Sequence, residues 1–215
     1  MPSRNIVKHY AENQMWHIYN RGVDGRIVFE TDRDYQVFLS LLKNCLSPDT
    51  KENHQDDIHE VQRFRRINLS NQVELLAYCL MPNHFHLLLY QHSSDGIEKL
   101  LRSATVAYVM YFNRVHKRQG RLFQGIYKGS EINSDAYWQH VSRYIHLNPI
   151  DAKKDYQSYP YSSYKYYVDS HPPRWLKPSK ILNSFSSAEE YARFVGNYTG
   201  YKKELQDLRL VLADQ

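Results

Sequence analysis

The stretch "QVELLAYCLMPNHFHLLLYQ", Gln72 to Gln91, decides the fold. Its two apolar runs, "QVELLAYCL" and "HFHLLLYQ", are each of strand length and rich in residues that suit a pleated, buried surface. The "MPN" between them is a tight connection. The pair therefore reads as an antiparallel hairpin whose second strand begins with two imidazoles. Side chains alternate along a strand, so His84 and His86 project to one face while Phe85 points the other way into a core.

Working outward, "QMWHIYNRGVDGRIVF" alternates apolar and polar residues and breaks at Gly22 and Gly25, which predicts a first strand and a turn. "TDRDYQVFLSLLKNCL" follows with Thr31 or Asp32 as its cap and puts Tyr35, Phe38, Leu39 and Leu42 on one helical face. The polar stretch "SPDTKENHQDDIHEVQRFRRINLSN" reads as a loop or insertion before the hairpin.

Beyond the hairpin, "DGIEKLLRSATVAYVMYFNRVHKRQG" predicts a long helix with Ile97, Leu100, Leu101, Ala104, Ala107, Tyr108 and Tyr111 as its apolar stripe. "RLFQGIYKGSEI" predicts a fourth strand. The order βαββαβ is that of an α+β, ferredoxin-like (RRM-like) antiparallel sheet with helices on one face. A further helix, "SDAYWQHVSRYIHLNPI", starts at Ser134 or Asp135 and is expected to stop at Pro149.

From about Asp151 the character changes to a tyrosine and serine cluster, "YQSYPYSSYKYY", and a short amphipathic helix around Ala188 to Val195. The expected division is a catalytic domain over 1–150 and an extension over 151–215. Tyrosine clusters fill cores more often than they grip ligands, so packing is the expected role of this one.

The 215 residues carry 28 Lys+Arg against 23 Asp+Glu, a net charge of +5, which is compatible with a phosphate-rich partner. With 19 tyrosines the chain holds many rings able to stack on a base. Only Cys45 and Cys79 occur, which argues against a disulfide framework or a thiolate zinc site. No apolar run approaches a membrane span and the N-terminus lacks a signal-peptide core, so a cytoplasmic protein without membrane contact is expected.

An isolated His-x-His is as readily a pair of hydrogen-bonded surface residues as a metal site. The helix at Ser134 to Ile150 adds to it. Tyr144 and Asn148, four apart, share one face, and Tyr137 and His140 extend that stripe upstream. If this helix crosses the sheet face that bears His84 and His86, the Asn148 amide oxygen can join the two imidazoles around one ion. Such a mixed nitrogen and oxygen set with open positions suits Mg²⁺ or Mn²⁺.

"MPNHFHLLL", followed by a basic helix, "GRLFQGIYKGSEI" and "YWQHVSRYIHLNPI", resembles the single-tyrosine HUH transposases (insertion-sequence-200-like transposases), particularly the REP-associated tyrosine transposase branch. The likeness runs from "HIYNRGVDGRIVF" to "NPI", roughly two thirds of the chain.

It implies a metal-dependent endonuclease and transposase that cleaves and rejoins single-stranded DNA beside hairpin elements through a 5′-phosphotyrosine intermediate. His84 and His86 would be the HUH pair, Tyr144 the nucleophile and Asn148 the third metal ligand, where other branches carry Gln. Tyr137 is the rival nucleophile. A cytoplasmic, nucleoid-associated protein acting as monomer or homodimer would fit.

Arg21 in "YNRG" and the basic residues Arg114, Lys117, Arg118, Arg121 and Lys128, interleaved with Phe123 and Tyr127, are candidate DNA contacts. "RFRR", Arg63 to Arg66, is another. Each could equally be a solvated charge. Two other functions stay open: a hydrolytic metal-dependent nuclease, and a non-catalytic single-stranded nucleic-acid binding module.

Overall fold

The computed structural model describes residues 11–48, 67–169 and 171–197. Arg63 to Arg66 and most of the expected loop before the hairpin lie outside them. The sheet is built from β1 (Gln14–Arg21), β2 (Val73–Met81), β3 (His84–Gln91) and β4 (Lys128–Glu131). All pairings are antiparallel and the spatial order is β2-β3-β1-β4, the arrangement expected of βαββαβ.

Helices α1 (Asp32–Leu46) and α2 (Gly96–Val115) cover one face. Thr31 caps α1 in a reciprocal box with Asp34, so two orphan amide donors at the helix start are satisfied. Every residue of the expected α2 stripe is buried, with Phe38, Leu42 and Phe85, in the core under this face.

The other face carries α3 (Asp135–Asp151) and the tail. Met15, Ala77, Cys79, Met81 and Leu88 from the sheet pack there against Val141 and Ile145 of α3 and against Tyr159, Tyr164, Tyr167 and Tyr191. Tyr159, Tyr164 and Tyr167 of the tyrosine cluster are thus core, while Tyr156, Tyr161 and Tyr166 are half-buried against it. Hydroxyls of the cluster also anchor the tail to β2: Tyr159 donates to Leu80 O at 2.8 Å and Tyr167 to Leu76 O at 2.8 Å.

The tail backbone pairs along the outer edge of β2. Leu80 N donates to Tyr161 O, Ser163 N to Tyr78 O, and Lys177 N to Leu75 O. An edge that would otherwise present unpaired amides is covered.

Two boundaries differ from the sequence reading. Helix α3 runs through Pro149 to Asp151, because a proline in the last turn removes only one amide donor while its fixed φ still fits a helix. The fourth strand is shorter than "RLFQGIYKGSEI": residues 121–127 cross the end of β1 irregularly, touching it through the isolated Gly22 and Phe123 bridge. The short helices α4 (Tyr164–Val168) and α5 (Ser179–Leu182) and the amphipathic α6 (Ala188–Gly196) complete the tail.

Candidate active site

The hairpin tip fixes the site. Pro82 O accepts from Val28 N (2.7 Å) and Phe29 N (3.1 Å), and Asn83 O accepts from Gly22 N (2.8 Å). The start of β3 is thereby tied to the turn after β1, and the register places Arg21 opposite His84 and Tyr19 opposite His86. Period-two alternation then sets His17, Tyr19 and Arg21 of β1 on the same face as His84 and His86.

Helix α3 crosses that face and brings Tyr144 and Asn148 over it. The Asn148 amide nitrogen donates to the Tyr144 carbonyl at 3.0 Å, which turns Oδ1 toward Nε2 of His84, 3.3 Å away. The Tyr144 ring stands perpendicular to His86, with centroids 5.4 Å apart, and to His17 at 5.8 Å. His84 and His86 are themselves perpendicular at 5.0 Å. His84, His86, Tyr144 and Asn148, from two distant segments, line one open cavity of about 1210 Å³.

The donor set can be tested for a divalent cation. Nδ1 of His84 lies 2.7 Å from Asn83 Oδ1, and the Asn83 amide nitrogen donates to Gly25 O at 3.3 Å. This pattern assigns the His84 proton to Nδ1. A neutral His84 therefore turns the lone pair of Nε2 toward the oxygen of Asn148. Two lone pairs at 3.3 Å repel each other unless a proton or a cation lies between them.

Neighbouring ligands of an ion bound at about 2.1 Å are roughly 3 Å apart, so the spacing suits a shared metal. His86 is buried, and burial pushes its imidazole down to about 3, which keeps it neutral and able to ligate near neutral pH. The residues fit the group.

Not every expected residue converges here. Arg21 and Lys128 line the cavity, and the Lys128 ammonium lies 5.9 Å from the centre of the Tyr19 ring. Arg114, Lys117, Arg118 and Arg121 do not line it. They sit at and beyond the end of α2, which packs on the opposite sheet face, and Arg118 instead donates to Asn113 Oδ1 at 3.0 Å. Tyr137 is 43% exposed and outside the cavity, and the His140 ring sits tilted against Phe194 of α6, with centroids 5.6 Å apart. Both lie nearer the start of the helix, two turns and one turn before Tyr144, where the cavity no longer reaches.

Sequence reasoning missed His17. It is fully buried, lies beside Tyr19 (ring centroids 5.1 Å apart) and His86 (5.0 Å), and has Nε2 2.8 Å from His86 Nδ1. Burial, and secondarily the neighbouring His86, hold its pKa well below the ordinary value. The signal was present: residues 17, 19 and 21 alternate onto the sheet face that bears His84 and His86.

The antiparallel α+β sheet, with its histidine pair on β3 and a crossing helix that presents tyrosine and asparagine, thus brings two imidazoles, an amide oxygen and a phenol to one cavity. Residues 49–148, a span that includes His84, His86, Tyr144 and Asn148, match the family described as "Transposase IS200 like". That stretch of the chain is similar to the IS200-like transposases.

A solved structure described as a REP-associated tyrosine transposase bound to a REP hairpin is similar in fold, with a TM-score of 0.53. It shares 16% sequence identity, over 80% of this chain and 90% of that one. No curated protein matches the chain. Among the described residues, no helix is long and apolar enough to cross a membrane.

Proposed function

We propose that the chain is a metal-dependent single-stranded DNA endonuclease and transposase that cleaves and rejoins DNA beside hairpins through a 5′-phosphotyrosine intermediate. One observation carries this reading: the Asn148 carboxamide meets His84 at 3.3 Å on the same helix that lays Tyr144 against His86. The hairpin as substrate rests on the fold likeness to a protein described as bound to one.

In this reading His84, His86 and Asn148 hold Mg²⁺ or Mn²⁺. Bound there, the ion supplies Lewis-acid stabilisation of charge on the scissile phosphate. Tyr144 is the nucleophile: its phenolic oxygen forms a bond to phosphorus as the bond to the 3′ oxygen breaks. The phenolic proton is lost to solvent, and the departing oxygen takes one up as a free 3′-hydroxyl. An ordinary tyrosine has a pKa of about 10, so attack at neutral pH needs positive charge close by.

Arg21 and Lys128 line the same cavity and would contribute that charge while binding the flanking phosphates. Attack of another 3′-hydroxyl on the phosphotyrosine regenerates the phenol and a phosphodiester, so strands rejoin without an external energy source.

The test is incubation with a labelled single-stranded hairpin and Mn²⁺. A covalent protein–DNA adduct that disappears in Tyr144→Phe is the expected outcome. Cleaved products with no adduct would mean water, not Tyr144, is the nucleophile. Binding without cleavage under any divalent ion would mean a nucleic-acid binding module.

A further inference from the structure

His17 has no part in the scheme above, yet it touches one of the proposed ligands. It lies on β1, is fully buried, and has its Nε2 at 2.8 Å from Nδ1 of His86, while among the described residues no hydrogen-bond partner reaches its Nδ1. For a residue that only filled space beside Tyr19 and His86 this is a poor choice. An apolar side chain would pack there without leaving a buried nitrogen unpaired. The one polar contact that His17 makes is therefore what its imidazole contributes.

A neutral His–His pair at this distance shares one proton in one of two ways. If His17 donates from Nε2, His86 carries its own proton on the other nitrogen, Nε2, and that nitrogen cannot ligate. If His86 donates from Nδ1, its Nε2 is a lone pair on the cavity side. We propose that His17 is the positioning residue for His86, accepting the Nδ1 proton and so holding the His86 ring in the orientation and tautomer that present Nε2 to the cavity.

This deepens the reading of His84, His86 and Asn148 as a metal site and rests on it. The unpaired His17 Nδ1 then carries the proton, a cost that the fold tolerates at this position. Hydrogen-bond partners behind a ligating histidine commonly set its tautomer in this manner.

Ring ¹⁵N chemical shifts of His86, read in the metal-free wild-type protein, test the tautomer without any variant. A bare Nε2 and a protonated Nδ1 are expected, and a proton on Nε2 would overturn the proposal. Mn²⁺ affinity, measured by the spin-resonance signal of the free ion, adds the second readout. His17→Phe keeps a ring beside Tyr19 and His86 and should weaken Mn²⁺ binding by about ten- to a hundredfold. His17→Gln, whose amide oxygen can reach the place of Nε2 and accept the same proton, should stay within about threefold of wild type by the same reasoning.

Hairpin affinity in a chelator should be unchanged in both variants, which a merely structural loss would not spare. A folded His17→Phe that binds Mn²⁺ like wild type would also overturn the proposal. If wild type binds Mn²⁺ no better than His84→Ala, the metal reading fails instead, and the His86 ring shifts still decide the role of His17.

Discussion

Asn148 Oδ1 lies 3.3 Å from Nε2 of His84, although the two residues are 64 positions apart and sit on a helix and a strand. Its own amide nitrogen is committed to the Tyr144 carbonyl, so the helix backbone that carries the phenol also aims the carboxamide. Substitution at either end of this contact should therefore separate metal dependence from DNA binding.

His84→Ala and His86→Ala should each lower the rate of hairpin cleavage by about a thousandfold or more, since a Lewis acid contributes several kcal/mol and each 1.4 kcal/mol is tenfold. Hairpin affinity should largely persist because backbone charge dominates it. Asn148→Ala should act more gently, appearing chiefly as a higher Mn²⁺ requirement. Rates at a series of Mn²⁺ concentrations, with binding measured in parallel, check all three; turnover near wild type in either histidine variant would remove the metal assignment.

Tyr144→Phe should abolish the covalent adduct and leave stability within about 0.5 kcal/mol of wild type, because the ring keeps its perpendicular contacts to His86 and His17. Denaturant midpoints and adduct gels on the same preparation make the comparison. Tyr137→Phe, at an exposed position, should form adduct normally.

Among the basic residues, cavity position predicts importance. Arg21→Ala and Lys128→Ala should each weaken hairpin binding and reduce the slope of log affinity against log salt by about one. Arg118→Ala, whose guanidinium is held at Asn113 on the other side of the sheet, should change neither. Salt titrations of hairpin binding give the slopes.

Gly22→Ala should destabilise the protein by about 1–3 kcal/mol, the usual cost of forcing a methyl into a packed site. A Cβ at Gly22 would stand 2.2 Å from Arg26 O and 2.8 Å from Val28 Cγ1. The same residue's amide ties the turn to Asn83, next to His84, so cleavage should fall alongside stability. Thermal unfolding and cleavage assays of the variant report both.

Acid should destabilise the fold through its buried histidines. His146 is buried, bonded to Tyr191 at 2.8 Å and Ser163 at 2.7 Å, and burial pushes it down to about 3. In the unfolded chain it would titrate near 6.5. Between those values the unfolded state binds the extra proton, so the stability contribution is complete above about pH 6.5 and is lost as pH falls toward 3. Urea midpoints should decline steadily from pH 6.5 to 4.5, and His146→Phe should show a shallower decline by up to one proton. An unchanged slope would mean that His146 is protonated in the native state.

Much of this was legible in the sequence because it is local. Period-two alternation put His84 and His86 on one face, a 3.6-residue period put Tyr144 and Asn148 on another, and the βαββαβ order needed only lengths and breakers. The basic run from Arg114 to Arg121 shows the limit of such reading. Proximity in sequence says nothing of which sheet face a helix covers, and this segment ends on the face away from the cavity, whereas the lone Arg21 and Lys128 reach it.

His17 belongs to the same lesson. Its neighbour across the sheet, Tyr19's partner His86, is fixed by a register that runs between strands nearly seventy residues apart, and by the turn contacts of Gly22 and Pro82. The amino-acid order determined the elements, their faces and the residue types able to do phosphoryl chemistry. Only the tertiary structure decided which of those faces meet, because strand register and helix crossing are settled by the packing of the two cores and no local pattern encodes them.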